Sequence, residues 1–264
     1  GLYSVGEHLS KLDFPTDFDS VDRAAQRFRY VHDTYLRNNG IKTYLSVIPD
    51  KNVFIASPNG YPDKDYKALA ERLVNGFPEA KYIDISGLLS ADDFYYTDSH
   101  WRQEKIMTVA DKIADKMGAE RIGQCEKHDA GVSFYGVYYG QAALPHAPES
   151  LSYIDNSVIR GLKVYNVETS SDIPVYDLSA AAGRDPYEMF LGGARSVITV
   201  KNPNAEKERR LVVFRDSFGS SIAPLLTAGY SEITLVDIRY ISPSALGKLI
   251  DFTKADDALF LYSA

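Results

Sequence analysis

The chain has 264 residues, 45% of them hydrophobic, enough for one large domain or one domain with an inserted lobe. Its formal net charge of −7, with both signs scattered along the chain, excludes the basic stripe that duplex DNA or RNA requires, so no nucleic-acid partner is expected. No apolar run reaches the length of a membrane span, and the single cysteine, Cys125, excludes an intramolecular disulfide without fixing the compartment.

Residues 19–38 predict an amphipathic helix, with Val21, Ala24, Phe28, Val31 and Tyr35 at helical spacing and Gly40 suited to the C-terminal cap. Tyr44 to Ile48 is a short strand stopped by Pro49, 64–77 a second helix ended by Pro78, and 81–86 a short strand. Ile106, Val109, Ala110, Ile113, Ala114 and Met117 place a helix from about Trp101 to Gly118. From 126 to 205 the texture becomes β-rich: "VSFYGVYYGQAAL", "GLKVYNVET", "IPVYDLS" and "GGARSVITVKN" are separated by Gly, Pro, Asn and Ser. That segment reads as an inserted lobe within an α/β domain formed by 1–125 and 206–264. In the latter part, 211–214, 231–239 and 258–263 read as strands and 242–254 as a helix. Short apolar strands alternating with helices imply a parallel sheet covered on both faces.

Tyrosine is over-represented, with 19 against 12 Phe and one Trp. Its flat apolar face and polar tip suit sugar stacking, and suit half-buried strands equally.

Two short stretches carry the candidate chemistry. "YYTDSHWRQ" (95–103) places Asp98 two positions before His100. On an irregular segment both side chains can turn to one side, so the carboxylate can hold the imidazole in one tautomer and leave its other nitrogen free. "LVVFRDSFGSS" (211–221) runs from a buried strand into a helix. Ser217 therefore sits at the carboxyl edge of the sheet, its N–H pointing with the helix N-terminus, where negative charge is favoured. A serine needs a base to become a nucleophile, and imidazole serves near neutral pH. The plain alternative is that Asp216, Ser217 and Ser220 cap one helix while Thr97, Asp98 and Ser99 precede another.

Together these stretches resemble the DHHW protein family, relatives of the SGNH-like alginate O-acetylation proteins. "VIPDKN", "FLGGARSVITVKN", "VDIR" and "DALFLYS" extend the resemblance over nearly the whole chain. It implies an SGNH-hydrolase-like parallel sheet flanked by helices, circularly permuted because Asp98 and His100 precede Ser217. The strand ending in "IPDKN" is then expected beside the strand "ALFLYS". Ser217 matches the nucleophile, His100 the base and Asp98 its partner. Arg239, followed by Tyr240, matches a position near the oxyanion, with pairing to Asp237 or Asp216 as the alternative. Lys51 and Asn52 could touch substrate or form a solvated turn; Trp101 is expected to pack beneath the His100 loop. The sequence departs from the family at Ser99, which leaves the Asp98-x-His100 pair intact, at Ala194 and at Arg215, and it ends at the strand where such enzymes often place an oxyanion asparagine, which leaves the second oxyanion donor open.

The function so implied is transfer or hydrolysis of an O-acetyl group on an extracytoplasmic polysaccharide through a serine acyl-enzyme, with a membrane-bound acyl-transfer partner and no cofactor. A chain beginning at Gly1 is expected to follow a signal or anchor segment. The competing reading is a silent polysaccharide-binding or assembly module. No metal is expected, because five scattered histidines and one cysteine offer no ligand spacing.

Overall fold

The structure, a computed structural model, describes residues 1–142 and 145–264. The first third of the chain forms β1 (Leu2–Val5), β2 (His8–Lys11), α1 (Phe18–Val31), β3 (Lys42–Ile48), α2 (Asn52–Ile55), α3 (Tyr66–Gly76) and β4 (Lys81–Tyr82). There follow α4 (Met107–Met117), β5 (Glu126–Phe134), α5 (Val137–Ala142), β6 (Glu149–Asp155), α6 (Ser157–Arg160), β7 (Lys163–Asn166), β8 (Ser171–Ile173) and α7 (Leu178–Ala181). The last part holds β9 (Val197–Lys201), β10 (Arg210–Arg215), α8 (Phe218–Ile222), β11 (Glu232–Val236) and β12 (Asp257–Ser263).

Eight strands form the central sheet, in the order β4-β3-β12-β10-β11-β9-β7-β8. The first five run parallel, and β9, β7 and β8 continue antiparallel. The expected adjacency holds: β12 lies in parallel register with β3, Ser263 opposite Ile48.

Side chains alternate between two cores, as strand pleating demands. On β10, Leu211 and Val213 face one core while Val212 and Phe214 face the other; on β12, Leu259 and Leu261 oppose Ala258 and Phe260. The first core is covered by α4, the second by α1 and α3 through Val21, Phe28, Leu69 and Leu73. This two-sided burial is why the central strands read as unbroken apolar runs.

Several elements depart from the sequence expectation for local reasons. The 242–254 helix is replaced by two 3₁₀ turns, Pro243–Lys248 and Phe252–Lys254. Gly247 interrupts it against the Tyr35 ring, and Asp251 caps a new turn by accepting from the Thr253 N–H. The helix before Gly118 begins only at Met107, since Trp101 bridges Phe94 and the Arg102 N–H donates to Asp93. The first helix ends irregularly, widening into a π turn at His32–Leu36 and tightening into a 3₁₀ turn at Arg37–Asn39, before Gly40 closes it in the left-handed conformation.

The 126–205 segment contributes to two sheets. β5 and β6 form their own antiparallel pair, whereas β7, β8 and β9 extend the central sheet. The run "VSFYGVYYGQAAL" is strand only to Phe134, then turns into α5; its last residues, Ala143 and Leu144, lie outside the described residues.

Candidate active site

The two chemical stretches meet at the carboxyl edge of the sheet. β10 ends at Arg215, and Ser217 follows at the start of α8. Asp216 takes the capping work, one carboxylate oxygen accepting from the Phe218 N–H at 3.0 Å and the other from the Ser263 N–H and hydroxyl, both at 2.7 Å. That leaves the Ser217 hydroxyl free. It lies 2.7 Å from His100 Nε2, while His100 Nδ1 lies 2.6 Å from Asp98 Oδ1. The Ser217 N–H has no acceptor among the described residues, so it is available to an oxyanion.

Asp98 is almost wholly buried. Burial alone would raise its carboxyl, but the facing His100, bonding through its ring and its N–H, and the Val137 N–H hold it well below the usual carboxylate range. A carboxylate so held stays ionised and balances an imidazolium.

The segment 126–205 supplies much of the support. The Val137 N–H donates to Asp98 Oδ2 at 2.9 Å. Gly136 packs where any Cβ would overlap Asp98 Cβ and the Thr97 carbonyl. Tyr187 stacks on the imidazole and donates to Ser221 Oγ at 2.7 Å, and the Trp101 indole donates to the same oxygen at 2.8 Å. Trp101 therefore packs beneath the loop, as expected. Arg215, fully buried, donates to the Asp216 and Gly193 carbonyls at 3.3 Å each; Gly219 makes room for it, since a Cβ there would sit 2.6 Å from Arg215 Cβ.

Lys51 and Asn52, expected at substrate or in a solvated turn, are placed otherwise. Lys51 is fully buried, Nζ donating to the carbonyls of Tyr95, Tyr96 and Asp98. Those three bonds use every ammonium proton, so neither substrate contact nor a solvated turn fits. Asn52 is buried and holds Tyr3, Ser10 and the Lys11 carbonyl. Trp101 has no exposed surface. Arg239 makes a bidentate pair with buried Asp237 at 2.9 and 2.6 Å, which raises the guanidinium further, and Tyr240 beside it is exposed.

Glu149, Val137, Tyr187 and Ser221 escape sequence reading: one glutamate after a proline, one of many tyrosines and a backbone N–H carry no distinguishing pattern. For metal, Glu126, His128 and Asp155 bring ligand atoms within 4.8 Å of one another among the described residues, but Arg160 and His128 already bond Asp155.

The same architecture recurs among solved structures. A DHHW family protein from Eubacterium siraeum superposes with a TM-score of 0.77 at 17% identity, covering 99% of this chain and 89% of that one. The chain has the fold of a DHHW family protein. PatB1 of Bacillus cereus, solved with a sulfonyl adduct, matches with a TM-score of 0.77 at 16% identity, over 99% of this chain and 94% of that one. The O-acetyltransferase domain of Pseudomonas putida AlgJ matches with a TM-score of 0.60 at 13% identity, over 100% of this chain and 90% of that one. No family model matches the chain, and no curated protein does. The DHHW likeness thus lies in architecture, and among the described residues no helix is long and apolar enough to cross a membrane.

Proposed function

We propose that the protein is an extracytoplasmic O-acetyltransferase or acetylesterase acting on a polysaccharide through Ser217, His100 and Asp98. The observation that carries this reading is the continuous chain of short contacts, 2.7 Å from Ser217 Oγ to His100 Nε2 and 2.6 Å from His100 Nδ1 to Asp98. Residues 1–125 and 206–264 carry the triad, and 126–205 is the insertion that walls it.

Ser217 Oγ attacks the acyl carbonyl while His100 Nε2 accepts its proton. The Ser217 N–H stabilises the oxyanion, and Asp98 balances the imidazolium. The imidazolium then protonates the departing oxygen, leaving an acyl-serine. A sugar hydroxyl or water, deprotonated by His100, attacks that ester and frees Ser217. Arg239 and Tyr240 act on the substrate side, supported by their partial exposure just past β11. The fold shared with the O-acetyltransferase domain of AlgJ supports acyl transfer; in this reading the acceptor is a polysaccharide and the partner a membrane-bound acyl-transfer protein.

The test is acetate release from a chromogenic acetyl ester by the intact protein, Ser217→Ala and His100→Ala. Both variants should lose at least ~10³-fold in kcat, and a sulfonyl fluoride should label Ser217 in the intact protein alone. Equal background in all three proteins would favour a silent polysaccharide-binding module. Adding an oligosaccharide acceptor separates transfer from hydrolysis.

A further inference from the structure

The segment that carries Asp98 is irregular, and two buried charges remote in sequence grip it. On one side Lys51 Nζ donates to the carbonyls of Tyr95 at 3.0 Å, Tyr96 at 2.9 Å and Asp98 at 2.7 Å. On the other, the Glu149 carboxylate accepts from the Tyr96 N–H at 2.8 Å, the Thr97 N–H at 3.0 Å and the Thr97 hydroxyl at 3.2 Å, and it also pairs with Arg102. The carbonyl and amide poles of these peptides thus each meet a full charge. Burying an ammonium and a carboxylate is costly, so a loop held this way takes its geometry from those charges. The Asp98 carbonyl bonded to Lys51 belongs to the residue whose carboxylate orients the imidazole. A small shift of that peptide therefore reaches His100 directly.

We infer that Lys51 and Glu149 are positioning residues acting through Asp98, and that His100 is aligned with Ser217 only while the Lys51 ammonium is charged. This inference rests on the proposed triad. Asp98, Asp50 and Glu149 favour the charge on Lys51; Arg102 opposes it, His8 lies close by, and the Tyr138 ring presents its face 5.3 Å from Nζ. Burial outweighs the acids and lowers the ammonium to about 8. The grip is therefore released in an alkaline range that would leave a surface lysine charged.

The experiment follows ester hydrolysis against pH, and the low-field proton resonance of the His100–Asp98 hydrogen bond, in the intact protein, Lys51→Met, Lys51→Arg and Glu149→Gln, each checked for folding by circular dichroism. In the intact protein, kcat and the resonance should both decline as pH rises through about 8. Lys51→Met should lack the resonance, lower kcat about 10- to 100-fold with KM little changed, and show no such decline. Lys51→Arg should move the decline to higher pH, and Glu149→Gln should lower kcat and move the decline to lower pH, because Glu149 favours the charge on Lys51. A folded Lys51→Met with intact kcat and resonance overturns the inference. Should Lys51→Met not fold, an unmoved alkaline decline in Lys51→Arg overturns it instead. An intact protein inert toward esters, whose resonance still depends on Lys51, overturns the triad and leaves this grip standing.

Discussion

The Tyr187 ring lies flat on the His100 imidazole, centroids 3.9 Å apart and planes 13° from parallel. Its hydroxyl is anchored on Ser221 of α8, the helix that follows Ser217. One residue of the 126–205 segment thus fixes the imidazole plane against Ser217. Tyr187→Phe keeps the stack and loses one hydrogen bond, which should cost about 1 kcal/mol of stability with kcat little altered. Tyr187→Ala should cost about 3–5 kcal/mol and lower kcat ~10²-fold by freeing the ring. Urea unfolding and ester kinetics on both variants check this.

Two glycines mark contacts with no room for a methyl group. Gly136→Ala would overlap Asp98 and the Thr97 backbone, so the segment carrying Asp98 must move. Gly219→Ala would meet first the Arg215 side chain, 2.6 Å from its Cβ and 2.9 Å from its Cγ. Each should cost about 1–3 kcal/mol. Gly136→Ala should also lower kcat by more than its stability loss explains, because the displaced atoms include those of Asp98 in the proposed triad. Comparing the two variants by unfolding and kinetics tests that distinction.

Arg239 neutralises Asp237, which has no exposed surface. Its side chain is 46% exposed, so water offsets part of the pairing. Arg239→Ala should cost about 1–3 kcal/mol, chiefly from the carboxylate left alone. With Arg239 on the substrate side, the same variant should raise KM for an acceptor more than it lowers kcat. Thermal melts and acceptor titrations would show whether either effect is missing.

His8 is buried against Tyr96, and burial, with the nearby Lys51 charge, lowers its imidazolium to about 4. The unfolded chain takes up that proton at about 6.5. Between those values the unfolded state binds a proton that the folded state refuses, so stability falls as pH falls from about 6.5 to 4. His8→Phe should flatten that part of the profile. The depressed Asp98 carboxyl acts in a lower window, its contribution present above about 4 and lost as pH falls further. Melting temperatures across pH 3 to 8 should resolve the two.

Much of the parallel sheet was legible because strands buried on both faces leave unbroken apolar runs, as in 211–214 and 258–263. The site was legible where one residue type has few alternative uses, as with Asp98 and His100 on an irregular segment. Sequence reading failed where backbone groups were the partners. Nothing near Lys51 announces three carbonyls from 95–98, since a lysine held by main chain has no matching acid to find. It failed also at 137–142, where hydrogen bonds from Val137 to Asp98 and from Tyr138 to Thr97 draw the chain out of any ladder. Hydropathy reports that a residue is buried and not what buries it, so β7, β8 and β9 read as a separate lobe although they widen the central sheet.

The strand between β3 and β10 comes from residues 257–263, far later in the chain than either neighbour's partners on the β3 side. During synthesis, β3 and β4 emerge with their helices yet have nothing to join them to β10. Until residue 263 clears the ribosome, both halves carry raw hydrogen-bonding edges along their innermost strands. Assembly of the sheet therefore waits for 257–263 to slot between them, and the hydroxyl at 217 gains its settled surroundings, through Asp216 and Ser263, only once that strand is in place.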